Sequence, residues 1–263
     1  MRVKNKEQKI ILFFFLSLFV SLFFVDAVFA ERPFLLTERG TPVEKGNYRL
    51  ETGLLFNRFS SDTKTTSLAI DVRYGLIQNL EVSLLIPYLF RKEGGEHDNQ
   101  IGDLLFRGKV RFLKGREANP LSISGQVIIK LPTAKRDPFF DTTGEADIGF
   151  FGIASKEFAP ITAHLNLGYV YIGNPPFAEV QDQLRYGLAL ELQTVEEALF
   201  LTTELSGFTS VGKGASKNDI LNLMGGIVYR IDRAFRIDAS GGIGLTQDSP
   251  DYLINTGLTY LFP

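Results

Sequence analysis

From Tyr48 to the C-terminus, apolar and polar residues alternate with a period of two over stretches of ten to thirteen residues. That period places successive side chains on opposite faces of a strand. In the stretch from Asp103 to Phe112, Asp103, Leu105, Arg107, Lys109 and Arg111 fall on one face, and Leu104, Phe106, Gly108, Val110 and Phe112 on the other. The stretch from Leu184 to Gln193 splits the same way, with Leu184, Tyr186, Leu188, Leu190 and Leu192 opposite Arg185, Gly187, Ala189, Glu191 and Gln193. Twelve segments pass this test, at roughly 48–59, 65–76, 81–90, 103–112, 121–132, 146–155, 161–172, 184–193, 199–208, 219–231, 235–246 and 252–262. They exceed the ~5–6 residues usual in globular sheets and suit the ~9–11 that cross a bilayer at a tilt. Long connections alternate with short ones, which predicts external loops on one side and periplasmic turns on the other. The fold class expected is all-β: a transmembrane antiparallel up-and-down barrel of about 12 strands, with both termini on the short-turn side.

Seven of the 23 phenylalanines crowd into the first 30 residues, outside this pattern. Arg2, Lys4, Lys6 and Lys9 precede an apolar run from Ile10 to Val25, and Val28-Phe29-Ala30 puts small residues at the cleavage positions. This predicts a cleavable signal peptide over residues 1–30, because the run is shorter than the ~20 residues of a spanning helix. Removing it leaves 24 basic against 28 acidic residues, a formal charge of -4. Near-neutral charge without basic blocks argues against nucleic acid as a partner. With no cysteine and two histidines, a disulfide framework and a thiolate metal site are excluded and no cofactor is expected. Residues 31–46, broken by Pro33, Gly40, Pro42 and Gly46, are too irregular for a strand. They either hang in the periplasm or tuck into the lumen as a plug, and the barrel proper occupies residues 47–263.

All nine tyrosines fall on the greasy face. Tyr48, Tyr74, Tyr229 and Tyr260 lie at the short-turn ends of their strands, and Tyr88, Tyr169, Tyr171, Tyr186 and Tyr252 near the long loops. Two such rings are expected where membrane meets water, so outer-membrane lipid is the expected partner outside. The opposite phase gives a nearly balanced lumen. Arg49, Arg73, Arg107, Lys109, Arg111, Lys130, Arg185, Arg230 and Arg236 face Glu51, Asp71, Glu81, Asp103, Asp147, Glu191, Glu204 and Asp238. Most of these are expected to pair within and across neighbouring strands, as Asp71 with Arg73 and Glu81 nearby. Arg107, Lys109, Arg111 and Lys130, with Asp103 the one inward carboxylate on their two strands, are the candidate constriction for small aromatic or anionic solutes.

Several short stretches look like a known family. Arg32-Pro33 through Thr37-Glu38, Glu44-Lys45-Gly46, Arg73-Tyr74-Gly75-Leu76-Ile77-Gln78-Asn79-Leu80-Glu81-Val82 and Ile86-Pro87-Tyr88 carry the likeness. So do Ile101-Gly102-Asp103, Lys109-Val110-Arg111-Phe112 and Lys130-Leu131-Pro132-Thr133. The chain resembles outer-membrane transporters labelled "MetA-pathway of phenol degradation". The resemblance implies a barrel in the outer membrane that passes small organic compounds, and it names no substrate. It also implies that the aromatic last strand, ending Tyr260-Leu261-Phe262, is read by the barrel-insertion machinery; Pro263 departs from that ending.

The competing class is a barrel enzyme acting on lipid, and a third is a structural or receptor barrel. A lipid hydrolase of this shape resembles its kin in placing His and Ser on the lipid face. Here His164 alternates inward between Thr162 and Asn166, and His97 lies in a polar loop. No serine stands at a plausible sequence spacing to either. The expected function is therefore a passive channel for small-molecule solutes, with no catalytic residues, and His164, Arg185, Glu191, Glu204, Arg230, Arg236 and Asp238 complete the expected lumen pathway.

Overall fold

The computed structural model describes residues 32–59, 63–116, 120–135, 142–174, 180–194, 198–212 and 219–262. The expected signal peptide, residues 1–30, lies outside them. Thirteen strands run in chain order: β1 (Tyr48–Arg58), β2 (Lys64–Ile77), β3 (Leu80–Glu93), β4 (Glu96–Ile101), β5 (Leu104–Leu113), β6 (Leu121–Leu131) and β7 (Asp147–Phe158). β8 (Ile161–Tyr171), β9 (Asp182–Gln193), β10 (Leu199–Val211), β11 (Asp219–Arg230), β12 (Phe235–Gly244) and β13 (Tyr252–Phe262) complete them.

Every strand of the ring pairs antiparallel with both neighbours, and β1 meets β13 from Tyr48↔Phe262 to Arg58↔Tyr252. The sheet therefore closes, and no edge of backbone N–H and C=O groups is left unpaired around it. Twelve strands form the ring, while β4 stands outside it and pairs with β3 alone. The alternation test reads residues 91–102 as a loop; here β3 and β4 instead form a hairpin that rises beyond the ring. Gly94 and Gly95, with φ of 56° and 93°, make the two-residue turn, because two consecutive positive φ values match the twist of the flanking strands. Gly102 donates to the Pro87 carbonyl at 2.8 Å, and β5 then takes over from β4 as the partner of β3.

At the other end the connections are tight. Gln78 and Asn79 join β2 to β3, with Asn79 at φ 71°, a conformation that asparagine tolerates better than most side chains. The C-terminal ends of β6 and β8 lie at the opposite end, with the β3–β4 hairpin.

The two faces differ in kind. Leu165 and Leu167 in the middle of β8 are each 56% exposed, and Phe150, Leu188, Leu223 and Ile254 share that outer surface. An apolar surface that encircles a molecule is covered by something other than water. The inner face buries Arg49, Glu51, Asp71, Arg73, Glu81, Lys109, Glu204 and Arg236. The core of this molecule is thus polar, the inverse of a soluble sandwich. If lipid covers the outer face, Leu165→Arg should destabilise the folded barrel by about 2–4 kcal/mol at mid-membrane depth. On a water-exposed surface the cost stays near ±0.5 kcal/mol. A denaturant titration in phospholipid vesicles measures the difference.

Candidate functional site

Residues 32–45 run through the barrel interior and touch most of its strands. Arg32 donates to Asp238 on β12 (Nε to Oδ2, 3.1 Å) and to Asn255 on β13 (2.7 Å). The backbone N–H groups of Leu35, Leu36 and Thr37 all donate to the Glu204 carboxylate on β10, at 2.6, 3.0 and 2.8 Å, and the Thr37 hydroxyl adds a fourth bond. Glu38 is clasped through its backbone by Asn166 on β8, which accepts from its N–H and donates to its carbonyl. Its carboxylate meets Arg73, Arg107 and Lys109 on β2 and β5. Arg39 pairs with Glu191 on β9. Gly40 donates to Ser155 on β7 and accepts from Ser122 and Ser124 on β6. Val43 donates to Glu81 on β3 at 2.7 Å. The segment leaves through Gly46, whose φ of 87° turns the chain into β1.

Ordering each residue of such a segment costs about 1–2 kcal/mol of conformational entropy. Hydrogen bonds to charged groups return ~1.5–3 kcal/mol each. Arg32, Glu204 and the Glu38 cluster therefore carry most of the binding.

The wall is cut to receive the segment. A side chain at Gly53 or at its cross-strand partner Gly257 would meet the Arg32 guanidinium at 2.4 Å. One at Gly187 would meet the Thr37 hydroxyl at 2.4 Å, and one at Gly75 the Glu44 carbonyl at 1.9 Å. These are inward positions, where alternation predicts polar side chains. Glycine appears there because the segment approaches closely, through its backbone at Gly75 and through side chains at Gly53, Gly187 and Gly257.

The predicted lumen residues are distributed as follows. Arg107 and Lys109 belong to the wall cluster, where Arg107 also meets Asp71 and Lys109 also meets Glu81. Arg111 turns away to Asn79 at the short-turn end, at 2.8 Å. Lys130 sits toward the long loops with Asp147 at 2.9 Å and Asp103 at 3.4 Å. The four cations proposed as one constriction are thus split among three places: besides Asp103, which pairs with Lys130, the partners come from β2, β3, β7, the β2–β3 turn and the N-terminal segment. Arg185 bonds Gln183 at 2.9 Å. Arg230 lies opposite Arg236 across β11 and β12, with its guanidinium 5.1 Å from the Phe200 ring.

His164 faces inward and, against the expectation from spacing, has a serine beside it. The β7–β8 register sets it beside Ser155, whose hydroxyl oxygen lies 2.7 Å from His164 Nδ1. Sequence spacing gave no serine partner, because a nine-residue separation says nothing until the hairpin register is known. The pair is engaged with Gly40, and His164 Nε2 has no hydrogen-bond partner among the described residues. No group of three His, Asp or Glu side chains that could hold a metal ion occurs among the described residues.

The nine tyrosines point outward. Tyr48 stacks on Tyr74 (ring centroids 4.4 Å apart) and Tyr260 meets Phe262 at the short-turn end, where Tyr229 also lies. Toward the loops Tyr169 contacts Tyr171 at 4.8 Å, Tyr88 contacts Phe90, and Tyr252 contacts Phe56. Tyr186 reaches Thr209 at the same end.

Two cavities flank the segment. One of about 260 Å³ has Arg32 and residues 34–38 as one wall and Leu85, Leu105, Ile128 and Phe151 as another. A second of about 420 Å³ is bounded by Arg39, Thr41, Arg111, His164 and Glu191.

A closed, apolar-coated, twelve-stranded ring around a charged interior defines the fold of outer-membrane channel barrels. The chain belongs to the family described as "Putative MetA-pathway of phenol degradation", whose model matches residues 34–262. An outer membrane channel from Pseudomonas putida F1 superposes with a TM-score of 0.68 at 14% identity, over 84% of this chain and 97% of that one. A NanC porin superposes with a TM-score of 0.58 at 7% identity, over 81% and 98%. Identities this low speak to the fold. Comparison with curated proteins gives no match.

Glu204→Ala removes the acceptor of three consecutive backbone N–H groups. The amides of Leu35, Leu36 and Thr37 should then exchange with deuterium at least about tenfold faster, with those of β10 unchanged.

Proposed function

We propose that this protein is an outer-membrane barrel giving small solutes a passive route across the membrane, and that its own residues 32–45 hold the route shut in the conformation described. The observation that carries this reading is the bound segment. It crosses a lumen that a barrel of twelve strands leaves too wide for wall side chains alone to fill. Opening then means loosening these residues from Glu204 and from the Arg73, Arg107 and Lys109 wall. The lipid-facing surface and the two rings of tyrosine support insertion, with the short turns in the periplasm and the β3–β4 hairpin outside. Export through the N-terminal signal and recognition of the last strand by the insertion machinery belong to the same reading. Apolar Leu85, Leu105, Ile128 and Phe151 beside Arg107 and Arg185 favour solutes with an apolar body and a negative charge.

Removing residues 32–44 should raise single-channel conductance in planar bilayers severalfold; unchanged conductance would show that the segment does not occlude the route. The buried Ser155 and His164 pair gives a hydrolase reading one specific observation. Both side chains point into the lumen, however, away from any acyl chain in the membrane. Purified protein is expected to leave phospholipid intact, and hydrolysis that disappears in His164→Ala would favour the enzyme instead.

A further inference from the structure

Glu38 takes from the wall what any carboxylate would take. Arg73 donates to it in bidentate fashion, Nη1 at 2.8 Å and Nη2 at 3.0 Å, and Arg107 and Lys109 add donors at 3.2 and 3.3 Å. Two parallel guanidinium N–H bonds plus a flanking ammonium form the arrangement proteins use to recognise organic acids. The wall itself is short of negative charge. Arg49, Arg73, Arg107 and Lys109 are set among Glu51, Asp71 and Glu81, four cations against three carboxylates, and Glu38 is the fourth. Withdrawal of Glu38 leaves Arg73, Arg107 and Lys109 to share Glu51, Asp71 and Glu81, one negative charge fewer in a buried cluster, which favours another anion at the same place. A cavity of about 260 Å³ opens onto that place, with Glu38, Arg73 and Arg107 in its lining beside Leu85, Leu105 and Phe151. Its volume exceeds the ~150 Å³ that accommodates a benzene ring.

We propose that Arg73, Arg107 and Lys109 form a binding site for the carboxylate of an organic acid with a compact apolar body, and that Glu38 fills this site as an internal stand-in while the segment is seated. Solute and segment then compete for the same donors. By linkage, a bound acid loosens the segment by the same factor as the seated segment weakens binding of the acid. This deepens the occluded-channel reading and rests on it for the consequence, although the binding site can be tested separately.

The probe is 4-fluorobenzoate, followed by fluorine NMR against the full-length barrel in detergent, with uncharged 4-fluorobenzamide as control. Glu38→Gln keeps the shape of the side chain and weakens its hold on the wall, so it should tighten 4-fluorobenzoate about tenfold and leave 4-fluorobenzamide unchanged. Asp147→Asn removes a lumen carboxylate that pairs with Lys130 and lies outside the Glu38 cluster; it should alter neither. With Glu38 intact, a nitroxide at Leu36→Cys, the only cysteine in the labelled chain, should gain mobility when 4-fluorobenzoate is added and not with the amide. Equal benzoate affinity in Glu38→Gln and unaltered protein, an equal gain in Asp147→Asn, or an unresponsive nitroxide would overturn the proposal. If deletion of residues 32–44 leaves conductance unchanged while Glu38→Gln still tightens benzoate, the occlusion reading fails and the acid site stands.

Discussion

Closure of the sheet is the constraint on which everything else depends. The pairing of β1 with β13 leaves the ring without an edge, and only then can an outer surface of leucine, isoleucine and phenylalanine meet hydrocarbon without exposing backbone polar groups to it. Closure also assigns the two phases of every strand. Once Leu165 and Leu167 face out, His164 and Asn166 must face in, and the same choice repeated around the ring gathers the charged residues into one enclosed space. A charged interior is the consequence of an apolar exterior in a two-faced sheet.

That interior sets the second problem, since ionised side chains away from bulk water need partners. The barrel strands answer most of it with ion pairs between neighbours, such as Arg73 with Asp71 at 2.8 Å. The N-terminal segment answers the rest in two complementary ways. Its Glu38 carboxylate goes to the cationic wall of β2 and β5, while its backbone N–H groups go to Glu204 on the far wall. The segment is held by opposite charges on opposite walls, and in the competition proposed above a solute ion replaces one of these contacts while the ring stays folded. On the occlusion proposed above, stability and closure of the passage draw on the same interactions.

The strands were legible because period two is a property of the chain itself, and the inward or outward sense of His164, Arg185 and Glu204 followed from it. The β3–β4 hairpin had a signal in Gly94-Gly95, but its strands are polar on both faces outside the membrane, so alternation could not reveal them. Partners across strands depend on register, which period alone leaves open; Ser155 beside His164 and Arg111 beside Asn79 are the examples. Inward glycines at positions 53, 187 and 257 interrupt a polar face without apparent reason until Arg32 and Thr37 are seen against them. The family likeness carried the barrel fold, and the course of residues 32–45 lay beyond both kinds of reading because irregular backbone has no period.

The central claim is that the seated segment and the open passage exclude one another. A side-chain carbon at Gly187 would lie 3.5 Å from Thr37 Cβ, within the range a disulfide spans, and the chain has no cysteine to interfere. Single-channel recording of the Thr37→Cys, Gly187→Cys double variant, oxidised and then reduced in the same bilayer, tests the claim directly. The account predicts a silent channel when the segment is tethered and conductance that appears on reduction; equal conductance in the two states would contradict it.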